Sequence, residues 1–168
     1  AQTEAKADAT APTAGAQVMV LGTKTVAGIA GFGSLPLASV PMQVEVTTAE
    51  QMKDLGIRRL SDIVRIDAAV GDGYNAEGYY DFLSVRGFVI DNRFNYRRDG
   101  LPISAETSIP LDNKSRIEVL KGTSGMLAGI GSPGGMVNLV VKRPTDAPIR
   151  EGFVGWRQNG SVLGATDL

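Results

Sequence analysis

The 168-residue chain is expected to adopt an α+β fold, a small sheet with short helices and long loops followed by a β-hairpin. Three features lead to this reading. Short runs alternate apolar with polar residues at strand period, as in Pro41–Val46 (PMQVEV), Phe82–Phe88 (FLSVRGF) and Arg116–Leu120 (RIEVL). Only residues 47–56 and 60–66 carry helix signals, and both segments are short. The chain holds 21 glycines, well above a usual share of about 7%, which calls for many turns and close backbone approaches.

The elements follow in order. Ala1–Gly15 is Ala/Thr/Pro-rich with almost nothing to bury, and reads as a disordered tail. Its start suits the mature end left by cleavage at a small-residue site. Gln17–Thr23 is a short β-prone run, and Thr25–Ser34 is Gly-rich and loop-like. After the alternating strand at 41–46, Thr47 and Glu50 have capping-box spacing. The helix they open is expected to stop at Gly56. A second short helix spans Leu60–Ile66, with Leu60, Ile63 and Val64 on one face. Gly71–Tyr80 (GDGYNAEGYY) reads as a long exposed loop. Strands follow at Phe82–Phe88 and Phe94–Arg98, the latter ending in the turn dipeptide Asp99-Gly100. In the strand Arg116–Leu120, Ile117 and Val119 face one way and Arg116 and Glu118 the other. Ser124–Ala128 is at most one helical turn, Ser132–Gly135 is a turn, and Met136–Lys142 is a mostly apolar, central strand. Asn159-Gly160 between two alternating runs marks a hairpin, in which Phe153, Gly155 and Arg157 face opposite to Val154 and Trp156. The chain stops within its second strand, so Leu168 reads as an artificial end.

Composition excludes several functions. There are no cysteines and no histidines. Disulfides, thiolate metal sites, Cys nucleophiles and Ser-His-Asp arrangements are therefore out of reach. A net charge of -1 gives no electrostatic case for nucleic acid or an anionic membrane. No run approaches the length of a membrane-spanning helix. Gly129–Gly134 satisfies G-x-G-x-x-G in form, but a strand follows it where a dinucleotide site needs a helix, so a tight turn is the better reading. Asp62, Asp67, Asp72, Asp81, Asp91 and Asp99 are scattered and make no calcium loop.

Several segments, in order, resemble the plug of TonB-dependent siderophore receptors. They are PMQVEVTTAEQMKDLG (Pro41–Gly56), SVRGF (Ser84–Phe88), RRDGLPI (Arg97–Ile103) and RIEVLKGTSGMLAGIGSPGGMVNLVVKRP (Arg116–Pro144), with the hairpin behind them. The chain departs from the pattern at Ile66–Gly71, where the family usually has Pro-Gly, and at Arg97-Arg98, where the position before Asp99 is usually apolar. The resemblance implies a small mixed-sheet plug (41–146) inside a 22-stranded transmembrane β-barrel of the outer membrane, whose first hairpin begins at 147–168. It implies a tail at 1–15 and a TonB-pairing segment and linker at 16–40, with the N-terminus periplasmic. It implies no enzyme activity and no resident cofactor, since iron enters only within a bound ferric siderophore. Implied partners are TonB, the chain's own barrel and the siderophore. There is no nucleic acid, and the membrane is met only through the barrel.

Candidate site residues follow. Tyr74, Asn75, Tyr79 and Tyr80 offer rings with polar tips, suited to an oxygen-rich, often aromatic chelate. A Tyr-rich surface loop, or tyrosines packed on the barrel, is the alternative. Arg93 and Asn95, and Ser104, Glu106 and Thr107 after the DGLP turn, form a second candidate set. Gln17, Val18, Met19, Val20 and Leu21 suit strand pairing with TonB, or else form the first strand of the plug sheet. By resemblance, Arg86, Arg116 and Glu118 become a polar lock against the barrel wall rather than solvated charges. A free-standing binding module for ferric chelates or a partner protein is the competing reading.

Overall fold

The structure is a computed structural model that describes residues 28, 36–39, 41–73, 79–122, 133–146, 150–156, 160 and 162–167. The tail at 1–15, the pairing segment Gln17–Leu21, Tyr74 and Asn75, the turn at Ser124–Ala128 and most of Gly129–Gly134 lie outside those residues.

Strand β1 (Gln43–Thr48) leads into helix α1 (Ala49–Asp54). The capping box sits one residue later than the sequence spacing suggests. Thr48 Oγ1 accepts from Gln51 N at 3.3 Å, and Thr48 N donates to Gln51 Oε1 at 2.9 Å. Thr47 is unavailable because it faces inward, paired with Ile117 in the strand ladder. The helix ends as predicted at Gly56, whose φ of +65° allows Gly56 N to donate to Lys53 O and Ile57 N to Met52 O. Met52 and Ile57 then meet in the core, the apolar contact that accompanies this C-terminal motif. Leu60–Arg65 is a 3₁₀ helix rather than an α-helix. Its period of three stacks Leu60 over Ile63, and both are buried.

Strands β2 (Val70–Asp72), β3 (Leu83–Val85) and β4 (Phe88–Val89) make a three-stranded antiparallel sheet. The run FLSVRGF is therefore not one strand. Arg86 (φ +53°) and Gly87 (φ +82°) both take left-handed backbone and turn it into a two-residue hairpin. Arg86 sits in that turn, not on a strand as expected. The larger sheet contains β5 (Tyr96–Arg98), β6 (Leu101–Pro102), β7 (Lys114–Lys121) and β8 (Gly135–Val141), in the order β1-β7-β8-β5-β6. The strand predicted to be central is central, and its pairing with β5 is parallel while all others are antiparallel. The turn at Asp99-Gly100 joins β5 to β6 with two positive φ angles. A separate hairpin pairs β9 (Glu151–Trp156) with β10 (Val162–Asp167). Val154 and Trp156 are exposed on one face, and Phe153 on the other meets the Arg58 guanidinium 3.8 Å from its ring centre.

Alternation along β7 and β8 divides the core. Ile117, Val119, Val137 and Leu139 pack with Met52, Ile57, Leu60 and Ile63 on one face. Leu120 and Met136 pack with Leu37, Met42, Val44 and Val46 on the other. Tyr96 is wholly buried, and its hydroxyl accepts from Leu83 N at 3.3 Å, which ties the two sheets. Burial pushes its phenol pKa up, so the hydroxyl stays neutral in this role. Tyr96→Phe is expected to cost about 1–2 kcal/mol, because the Leu83 N–H loses its acceptor. Urea unfolding checks this, and an unchanged midpoint would remove the hydroxyl from the account.

Candidate functional site

Three segments converge at one end of the larger sheet. Residues 79–82 enter β3, 90–95 link β4 to β5, and 103–109 leave β6. The middle segment is a turn closed by its own side chains. Asp91 Oδ1 accepts from Arg93 N at 2.7 Å, and Asn95 Oδ1 accepts from Asp91 N at 3.2 Å. Short polar side chains that bond the nearby backbone in this way favour turns over strands. The third segment is laced to the second, because Ala105 N donates to Asn92 O at 2.8 Å and Asn92 Nδ2 to Ala105 O at 3.1 Å. It is laced to the first as well, through Ser108 N to Tyr79 O at 2.9 Å. β8 starts at this end, and the hairpin lies by its far end, where Lys114 pairs with Val141 and where Phe153 and Thr166 share a cleft with Lys114 and Lys142, so the segments and the hairpin lie at opposite ends of the sheet.

Between them lies a cleft of about 530 Å³ lined by Tyr79, Tyr80, Phe82, Val89, Ile90, Asp91, Asn92, Arg93 and Glu106. Tyr79 meets Tyr80 edge to face at 5.7 Å, and Tyr80 meets Phe82 likewise at 6.1 Å. The lining thus combines three aromatic rings with two carboxylates and one guanidinium. Among the described residues no three His, Cys, Asp or Glu side chains group as a metal centre would need. What the cleft offers a ligand is ring surface, hydrogen bonds and charge.

Of the predicted ligand residues, Tyr79, Tyr80, Arg93 and Glu106 line this cleft. Ser104 and Thr107 are exposed on the same 103–109 segment, with Ser104 Oγ accepting from Glu106 N at 3.4 Å. Asn95 is a correction. It is 1% exposed, and its Nδ2 donates to Gly135 O at 2.7 Å, so it fastens the turn to β8 rather than facing a ligand. Sequence reasoning missed Phe82, Asp91 and Asn92. The available signal was Asp91 four residues before Asn95, a spacing at which the two side chains can close a turn.

The expected lock residues separate. Arg86 is exposed and donates to Gln43 Oε1. Gln43 and Thr48 are the first and last residues of the β1–β7 ladder, and Thr48 pairs with Arg116, so Arg86 and Arg116 stand at its two ends. Glu118 is 0% exposed and is bonded within the chain instead of toward an outer wall. Arg116 Nε reaches its Oε1 at 2.8 Å, Asn138 Nδ2 its Oε2 at 2.9 Å, and Gly28 N its Oε1 at 3.1 Å. The register that sets Asn138 opposite Glu118 is the reason. A second cleft, about 580 Å³ between α1, Leu111 and the hairpin, holds none of the predicted residues.

The plug-domain family model of TonB-dependent receptors matches residues 36–136, which run from the 3₁₀ turn before β1 to the start of β8 and include every segment of the cleft. The chain belongs to the TonB-dependent receptor plug domain family. It is 34% identical over 116 residues to the ferripyoverdine receptor of Pseudomonas aeruginosa, a match covering 62% of this chain and 13% of that one. It is 31% identical over 147 residues to the ferrichrome outer membrane transporter/phage receptor of Escherichia coli, covering 84% and 19%. Its fold is similar to that of BauA, the ferric preacinetobactin receptor of Acinetobacter baumannii, with a TM-score of 0.70 at 22% identity over 79% of this chain and 20% of that one. The chain thus spans under a fifth of the length of these two curated relatives.

Proposed function

We propose that this plug gates an outer-membrane barrel that imports a ferric siderophore, and that the ligand docks from outside in the Tyr79–Glu106 cleft. The observation that carries the reading is the cleft's position. It lies at the end of the sheet opposite the β9–β10 hairpin, on segments laced to one another through Asn92 and Ser108 and tied to β8 by Asn95. A ligand held there bears directly on β5, β6 and β8. The chelate is held by its organic shell, so rings and hydrogen-bonding groups suit it without protein ligands to the iron. Transport breaks no substrate bond. The segment Gln17–Leu21 is the element TonB engages by strand pairing from the periplasm.

Deleting Gln17–Leu21 in the intact receptor is expected to abolish iron uptake while leaving surface binding of the ferric siderophore unchanged. Uptake of labelled iron and binding at low temperature measure the two separately. Loss of binding on that deletion would count against the reading.

A further inference from the structure

We infer that Glu118 is a latch for the N-terminal linker, holding at Gly28 the chain that leads from Gln17–Leu21 into β1 and releasing it when TonB draws on that segment. This rests on the proposal that TonB engages Gln17–Leu21. Gly28 lies seven positions past Leu21, and its N–H donates to Glu118 Oε1 at 3.1 Å. The same linker meets the sheet again at Leu37, which packs with Leu120 and Met136. Glu118 and Leu120 are two apart on β7 and so share a face. Gly28 and Leu37 therefore both lie on that face, and the carboxylate beneath Gly28 is wholly buried.

The other partners of Glu118 make it a latch and not a fixed anchor. Arg116 Nε donates to Oε1 at 2.8 Å, and Asn138 Nδ2 to Oε2 at 2.9 Å. Both belong to the sheet, so they stay when the linker leaves. Release at this point gives up the Gly28 bond without stranding a buried charge, which would hold the linker far more firmly. Asn138 also ties the latch to the rest of the plug. Its Oδ1 accepts from Gly100 N at 2.9 Å in the β5–β6 turn. With a donor and an acceptor both in use, its amide is fixed in orientation. β6 leads from that turn into the 103–109 segment, so the latch and the cleft are joined through one strand and one buried asparagine.

The test uses the intact receptor. Hydrogen exchange is followed in the peptide that carries the Gly28 amide, and binding of the periplasmic domain of TonB is measured alongside. Glu118→Gln sets an NH2 against the Asn138 Nδ2 donor, so the side chain loses its seat. It is expected to speed exchange at Gly28 about tenfold and to tighten TonB binding about threefold. Adding Asn138→Asp supplies an acceptor for that NH2 and keeps the one for Gly100 N. The double variant is expected to return both readings to those of the unaltered receptor. Gly28→Pro, at an exposed position, removes the N–H without altering the core, and is expected to tighten TonB binding as Glu118→Gln does. It decides the matter if the buried variants do not fold. Exchange unaltered by Glu118→Gln, no recovery in the double variant, or equal TonB binding by the unaltered and Gly28→Pro receptors would overturn the inference. If exchange responds as expected but deleting Gln17–Leu21 leaves TonB binding intact, the TonB reading fails, and Glu118 is an anchor of the linker and no latch.

Discussion

Gly135→Ala is expected to destabilise the plug by about 4 kcal/mol, at the upper end of single-site effects. Two causes add. Gly135 has a φ of +132°, where a side chain is strained whatever the space. A Cβ there would also lie 1.9 Å from Leu120 O and 2.9 Å from Leu120 C, which are backbone atoms of the neighbouring strand and cannot swing aside. Either β8 slides along β7 or their ladder opens, and both disturb the two core faces that meet on these strands. Gly56→Ala separates the causes, since Gly56 has a φ of +65° but nothing within 4 Å. Backbone strain alone should cost about 1 kcal/mol there. Urea unfolding of the two variants gives the comparison. A Gly135→Ala protein no less stable than Gly56→Ala would mean that β7 and β8 do not approach as described.

Removing Asp67 is expected to cost about 3–5 kcal/mol, because it strands a buried cation. Lys121 Nζ lies 2.9 Å from Asp67 Oδ1 and 2.8 Å from Oδ2, and both side chains are 6% exposed. Glu45 lies farther from the ammonium, at 3.6 Å, and is half exposed, so it cannot take over the pair. Asp67 Oδ1 also accepts from Ala69 N at 3.0 Å, and Val70 N donates to Asp67 O at 3.1 Å. That local turn brings the chain into β2. Asp67→Ala breaks the ion pair and the turn together. Asp67→Ala combined with Lys121→Met should recover most of the loss, because a buried ion pair is often replaceable by apolar groups even though half of one is not. A double variant as unstable as Asp67→Ala would place the cost in the turn instead of the stranded charge.

These two sites mark the limits of what the chain's order of residues reveals. The alternation in PMQVEV and RIEVL, the apolar run MVNLVV, the stop at Gly56 and the turn at Asp99-Gly100 are local signals, since side-chain period and backbone freedom act within a few residues. The α+β class, the central position of β8 and the opposed faces of Ile117 and Glu118 could therefore be read directly. The lacing of Tyr79 to Ser108 and of Asn92 to Ala105 could not, because each joins residues that only the folded chain brings together. Period-2 alternation puts Arg86 on a strand, because it cannot reveal a residue with positive φ inside the run. Asn95 looked like a ligand residue, and Asp67 like one carboxylate among several, because sequence shows a polar group but not its partner. Burial decides what such a group does. A polar side chain closed off from water must find its hydrogen bonds within the protein, and Asn95, Asp67 and Glu118 each take one of theirs from a strand distant in sequence, at Gly135, Lys121 and Asn138.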